Sequence, residues 1–247
     1  MARSRKRRTY VNILPNLLTI GNMYCGLLSL VYTINGNFKL AAWMILLALL
    51  FDGSDGHVAR LTKSTSNFGK ELDSLADVMS FGVAPALLVY RSVLQDFHHI
   101  GIFIVTVYAI TGALRLARYN TQSGTAKSFT GLPIPGAGCL IASFVLLKLK
   151  YEHDFIYNYL ALFVVLLAFL MVSTIIYPKQ ELFRVRRNRA FQYTFIVILI
   201  FSVIMLRPTL FVFMFFLSYV TIGPLNFLTR SRLYHDPSAQ KQEEAIF

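Results

Sequence analysis

The sequence predicts an all-α polytopic membrane protein of about eight transmembrane helices, and three observations predict it. Of 247 residues, 55% are hydrophobic and 15% charged, whereas soluble domains carry roughly a quarter of charged residues. The apolar residues gather into runs near the ~20 residues that cross a hydrocarbon core. Basic residues cluster at the ends of these runs and fall mostly on one side, the pattern that sets membrane topology. Lipid then replaces a single water-excluding core, and packing between helices supplies the rest.

Taken in order, a basic cytoplasmic N-terminus (residues 1–12) opens with ARSRKRR, placed to lie beside anionic headgroups. No polar region with a small-residue cleavage site follows, so it is not read as a signal peptide. Spans are expected at Leu14–Ile34, Leu40–Leu61, Leu72–Leu94, Ile100–Tyr119, Pro133–Leu149, Phe155–Tyr177, Phe191–Leu206 and Thr209–Leu228. A polar tail over 231–247 closes the chain and is expected to be disordered. With the N-terminus inside, only Lys39, Arg91, Lys148, Lys150 and Arg207 of the 24 Lys and Arg fall on the outer side. Both termini are therefore expected to be cytoplasmic, in a protein integral to the cell (cytoplasmic) membrane. The net charge of +12 is thus a topology signal, and no nucleic-acid partner is expected. Cys25 and Cys139 lie in apolar runs, too few for a disulfide framework or a zinc site, and should simply pack.

Four of the 12 acidic residues sit inside the second and third expected spans: Asp52, Asp55, Asp73 and Asp77. Each carboxylate there costs ~2.5–3.5 kcal/mol on insertion scales, so four together need compensation. They occur in DGSDGHVAR (Asp52–Arg60) and GKELDSLAD (Gly69–Asp77), where spacings of three and four put each pair on one helix face. The short stretch LTKSTSNFGKE joins the two helices, which should run antiparallel. Asp52 lies ~12 Å along the helix from Arg60, and Asp77 ~10 Å from Lys70, so both pairs reach one depth beneath the cytoplasmic surface. A lone aspartate would be read as facing water or pairing with Arg60, Lys63 or Lys70. Four converging carboxylates would repel one another without cations, and an all-oxygen set with no cysteine favours Mg²⁺ or Mn²⁺. Four acids suffice to bridge two such ions and clamp a phosphoryl group. Gly56 and Gly69 fall on the acidic faces and, with Ala59, leave room for a ligand against bare backbone. Close helix packing through small residues is the other reading. Arg60, one turn past Gly56, is placed to meet an anionic phosphate.

Asp52, Asp55, Gly56, Ala59, Arg60, Gly69, Asp73 and Asp77 together read D-x-x-D-G-x-x-A-R-x8-G-x-x-x-D-x-x-x-D. This resembles the full motif of the CDP-alcohol phosphotransferases, integral membrane enzymes of phospholipid synthesis. Three further segments are ILPNLLTIGNMYCGLLS, GALRLARYN (Gly112–Asn120) and FTGLPIPGAG (Phe129–Gly138). They resemble one branch of that family, the integral-membrane phosphatidylserine synthases. The similar segments span Ile13 to Gly138, and the last helices resemble the family only in hydropathy and length.

The resemblance implies one membrane domain with a six-helix catalytic core over 13–177 and two extra helices over 178–230. It implies that Asp52, Asp55 and Asp73 ligate metal and that Asp77 is both a ligand and the general base. Gly56, Ala59, Arg60 and Gly69 become contacts of the cytidine diphosphate, joined by Asn16 and Thr19. The implied reaction moves the phosphatidyl group of CDP-diacylglycerol to the hydroxyl of L-serine and releases CMP. It would use two divalent cations, Mg²⁺ or Mn²⁺, in a homodimer whose active site faces the cytoplasm. Arg115 and Arg118, three apart at the end of the fourth span, share one face, and guanidinium geometry suits a serine carboxylate. A topology-setting basic pair is the other reading of these two. The resemblance adds Asn120 and the GLPIPG loop to that pocket.

Other functions make other demands on the same residues. A sister enzyme could use glycerol 3-phosphate, inositol phosphate or choline, or an archaeal-type lipid donor. A cation transporter would spread its acids along a path through several helices. An intramembrane aspartyl protease needs two aspartates and leaves Arg60 and the glycines unexplained. His57 lies off the glycine face, and His98 and His99 fall in an outer loop, so no metal role is expected of them. FRVRRNRAF reads as a basic cytoplasmic loop, and LFVFMFFLSY as lipid-facing packing.

Overall fold

Polarity runs inside out along the first helix. In the computed structural model, which describes residues 2–61, 66–121, 129–151, 155–177 and 208–234, α1 spans Ala2–Ile34. Thr19, Asn22, Ser29 and Thr33 are buried on one face of it, while Leu17, Ile20, Tyr24, Leu27 and Val31 are exposed on the other. Both sets follow helical spacing, so α1 turns a polar stripe inward and an apolar one outward, as lipid requires. It ends in a Schellman turn at Gly36 (φ 76°), where Asn37 N–H donates to the Tyr32 carbonyl and Gly36 N–H to that of Thr33. The Asn37 side chain then accepts from Leu40 N–H and starts α2 (Phe38–Leu61), which returns along α1.

The next helix is one continuous rod with a fault in it. Ser66 caps α3 (Asn67–Asp77) by accepting from Gly69 N–H at 3.0 Å. A π-helical turn follows over Val78–Val83, and α4 (Ala84–Ser92) completes the rod. The π turn admits an extra residue per turn and misaligns backbone groups, which neighbours then satisfy. Ser80 Oγ donates to the Asn22 carbonyl at 2.9 Å, and Tyr108 Oη donates to the Phe81 carbonyl at 2.9 Å. Two glycines allow the approach: a Cβ at Gly26 would lie 2.9 Å from Ser80 Cα, and one at Gly138 would lie 2.8 Å from the Phe81 oxygen. Lys148 Nζ closes the rod's far end by donating to the Ser92 carbonyl.

After a 3₁₀ turn at Leu94–Phe97, α5 (His98–Thr121) runs back towards the acidic end of α2 and α3. The strand β1 (Phe129–Thr130) leads into α6 (Ile134–Lys150), which is buried almost all round between α2, α4 and α8 (Pro208–Tyr234). Helix α7 (Phe155–Val172) packs on α5, and β2 (Ile176–Tyr177) pairs antiparallel with β1. The sixth expected span, Phe155–Tyr177, therefore stops five residues short. Leu132 N–H binds the Leu170 carbonyl, Gly131 N–H binds that of Ile175, and Arg118 Nη1 donates to that of Val172. These donors take carbonyls at the end of α7, so the apolar run continues as a strand.

The third expected span begins earlier than predicted, at Asn67, because Ser66 supplies the cap, and it ends at Ser92. Among the described residues, three helices are long and apolar enough to cross a membrane: Pro15–Ile34, Asn67–Ser92 and Leu94–Thr121. Helix α2 carries Asp52, Asp55 and Arg60, which lower its apolarity, and α6 has 17 residues. The apolar helical stretches Leu160–Val172 and Pro208–Thr221 are shorter still. The expected seventh span, the basic loop before it and residues 235–247 of the polar tail lie outside the described residues, whereas the tail's first four residues, 231–234, continue α8 rather than leave the helix. Cys25 and Cys139 are free and buried, as packing residues should be.

Candidate active site

The acidic faces of α2 and α3 meet. Asp52, Asp55 and Asp73 bring carboxylate oxygens within 4.8 Å of one another. Asp77, the last residue of α3, is buried beside them, and its carboxyl contacts that of Asp52. The α3 cap fixes the start of its helix, and the clamped π turn fixes its end, so Asp73 and Asp77 are held from both sides.

Helix α1 lends its polar stripe to this cluster. Thr19 Oγ1 lies 2.7 Å from Asp55 Oδ2 and 3.1 Å from the Pro15 carbonyl, and the shorter contact favours the carboxylate. Asn22 Nδ2 donates to Asp77 Oδ1 at 3.3 Å. Asn16 lies against α3: a Cβ at Gly69 would sit 3.1 Å from its Oδ1. Asn22 was not among the residues expected at the site, yet Asn16, Thr19 and Asn22 recur every third residue. That period was the signal for it.

The two motif glycines differ in their surroundings. A Cβ at Gly56 would meet nothing within 4 Å, so close helix packing does not account for this glycine, and open space fronts the acidic face there. Gly69 is enclosed by Asn16 and Ser66. Ala59 and Arg60 continue the α2 backbone past Gly56, and their side chains lie outside the described set.

Arg115 and Arg118 share α5 but have separate surroundings. Arg115 is buried at 7% exposure, within electrostatic range of Asp77. Arg118 points its Nη1 and Nη2 towards the Val172 and Ser173 carbonyls at 3.1 and 3.4 Å, beside the Gly131 turn. Asn120 Nδ2 donates to Ser74 Oγ at 2.9 Å and links the end of α5 to α3. His57 is exposed, as are His98 and His99 at the start of α5.

Asp73 Oδ1 is buried with no hydrogen-bond partner among the described residues, inside a cluster of four carboxylates. A buried carboxylate oxygen left so is costly in a low-dielectric bundle. A divalent cation resolves it, and an all-oxygen donor set suits a hard ion, so the residues present fit such a metal. The other described acids, Glu71 and Asp96, are exposed, so no acidic path leads away from the cluster among these residues.

Comparison with known proteins agrees with the motif. The chain is similar to the CDP-diacylglycerol–serine O-phosphatidyltransferase of Helicobacter pylori (strain ATCC 700392 / 26695), with 43% identity over 79% of this chain and 83% of that one. It is 42% identical to the archaetidylserine synthase of Methanothermobacter thermautotrophicus, over 71% of this chain and 74% of the relative. A CDP-diacylglycerol–serine O-phosphatidyltransferase of Bacillus subtilis is 38% identical over 68% of this chain and 91% of its own. A sequence model for CDP-alcohol phosphatidyltransferase matches residues 12–222, which takes in every residue of the acidic cluster and α1's polar stripe. With its apolar helices, its acidic motif and these similarities, the chain is an integral membrane protein of the CDP-alcohol phosphatidyltransferase family.

Proposed function

We propose that this protein transfers the phosphatidyl group of CDP-diacylglycerol to the hydroxyl of L-serine, forming phosphatidylserine and CMP. The observation that carries the reading is the convergence of Asp52, Asp55, Asp73 and Asp77, with a buried oxygen of Asp73 left unpartnered. The names borne by the relatives support serine as the acceptor. Gly56, Ala59, Arg60 and Gly69 bind the cytidine diphosphate, with Asn16 and Thr19 behind them. Two divalent cations, Mg²⁺ or Mn²⁺, held by the four aspartates, would neutralise the diphosphate and the charge that develops on departing CMP.

The residues of the chain orient the acceptor and move one proton. The serine oxygen forms a bond to the phosphorus that bears the lipid, and the bond from that phosphorus to the CMP oxygen breaks. CMP leaves with the electron pair, and the serine hydroxyl proton passes to the Asp77 carboxylate. Asn22 steadies Asp77 through its amide. Arg115 binds the serine carboxylate, with Arg118 and Asn120 at the rim of the same pocket.

The same proposal has eight spans, both termini cytoplasmic and the active site open to the cytoplasm, where serine is dissolved and the lipid donor is at hand. The catalytic core runs over 13–177, with the helices of 178–230 added to it, and the protein works as a homodimer. An archaeal-type lipid donor is a second reading, favoured by the similarity to an archaetidylserine synthase.

CMP release by purified protein from CDP-diacylglycerol tests this, with Mg²⁺ or Mn²⁺ and with serine, glycerol 3-phosphate, inositol phosphate or choline. Serine-specific release is expected, abolished by a chelator and lowered about 10²- to 10⁴-fold in Asp77→Asn. Release with another alcohol alone would discard serine. Release only when the donor carries ether-linked isoprenoid chains would select the archaeal reading.

A further inference from the structure

Two buried groups, one hydrogen-bonded to Asp77 and one within its electrostatic range, have hydrogen-bonding capacity that the described residues do not use. One is an acceptor, Oδ1 of the fully buried Asn22, whose Nδ2 donates to Asp77. The amide's orientation follows from chemistry: a carboxylate facing the amide oxygen would have no proton between them. The other is a donor, the Nε–H of Arg115, on a side chain only 7% exposed. Each arises on a different helix; Asn22 touches Asp77, and Arg115 lies within electrostatic range of it. An unmade hydrogen bond at a buried polar group is costly, the more so where the bundle lies in lipid.

An unmet acceptor and an unmet donor beside the proton-accepting carboxylate are complementary to one kind of alcohol. That alcohol carries an ammonium and a carboxylate close to its hydroxyl, as a zwitterionic α-amino acid does. We infer that Asn22 Oδ1 receives the ammonium of the acceptor while Arg115 holds its carboxylate, so that Asn22 is a specificity-determining residue as well as a support for Asp77. This rests on the reading of serine as acceptor and adds the group that recognises its amine. With the hydroxyl on Asp77, the acceptor is fixed at three points, which orients its oxygen towards phosphorus and selects one enantiomer.

A cycle between enzyme and acceptor isolates the ammonium contact from any effect on Asp77. Serine is compared with 3-hydroxypropionate, which keeps hydroxyl and carboxylate and lacks the amine, in the wild type and in Asn22→Leu. The readouts are the KM of serine and the inhibition constant of 3-hydroxypropionate against serine, so turnover of the analogue is not needed. Loss of the contact should weaken serine about tenfold relative to 3-hydroxypropionate in Asn22→Leu, with the KM of CDP-diacylglycerol little moved. Asn22→Gln, which keeps an amide, should recover part of the preference. An equal change for both acceptors, or none, overturns the inference and leaves Asn22 a support for Asp77 alone. If the KM values of serine and lipid rise together and the unfolding temperature drops, Asn22 is a packing residue and the inference also fails. Wild-type protein that releases CMP with no amino acid would instead sink the serine reading itself.

Discussion

At the scale of single residues, the cluster works through atoms behind the carboxylates as well as through the carboxylates. Thr19 is buried at 4% exposure and donates its hydroxyl proton to Asp55 Oδ2, fixing which oxygen remains for a cation. Thr→Val keeps the shape and removes the donor. Partners behind metal ligands typically change affinity about 10- to 100-fold when lost, so Thr19→Val should raise the metal concentration for half-maximal activity by that order. A Mg²⁺ or Mn²⁺ titration of CMP release reads it, and a curve unmoved from wild type would assign Thr19 to the Pro15 carbonyl alone. The acidic residues themselves were legible in the sequence because helical spacing and intramembrane charge leave few options. Asn22 shares the three-residue spacing of Asn16 and Thr19 but, as a neutral amide, carries no intramembrane charge to mark it, and it acquires its meaning from the Asp77 that α3 places against it.

At the scale of elements, the π turn after Asp77 is what joins the site to the bundle. Tyr108 from α5, Ser80 against α1 and the bare Gly138 of α6 all converge on it. Hydropathy could place the helix but not the fault within it, because an extra residue per turn leaves composition and periodicity almost unchanged. The same limit applies at the end of α7, where an apolar run breaks into a strand because Gly131, Leu132 and Arg118 take its carbonyls. Hydropathy sees the run, and the tertiary donors decide where it stops being a helix. Gly138→Ala tests the clamp. The new methyl would lie 2.8 Å from the Phe81 oxygen and 2.9 Å from its Cα, and both are backbone atoms that cannot swing aside. Overpacking of this kind costs about 1–3 kcal/mol, so a lower unfolding temperature in detergent is expected. Activity should fall with it, because displacing Phe81 moves the turn that follows Asp77.

For the whole molecule, the inward polar stripe and outward apolar face of α1 set the environment, and the position of the acids along α2 sets the side on which chemistry occurs. Lys39 opens α2 and Asp52 lies 13 residues on, a rise of ~20 Å, so site and Lys39 belong to opposite sides of the bundle. The strong bias of basic residues predicts which side is which. A cysteine placed at Lys39 should react with a membrane-impermeant maleimide in intact cells, while one placed at Ser238 in the tail should react only after permeabilisation. Cys25 and Cys139 are buried and give a low background. The reverse pattern would put the acidic cluster on the outer face, away from cytosolic serine, and the proposed acceptor would fall with the topology. Labelling at both positions in intact cells would mean that the tail and the N-terminal side of α2 share a face. The number of crossings between them would then be even rather than odd, and the eight-span arrangement would be the part to discard.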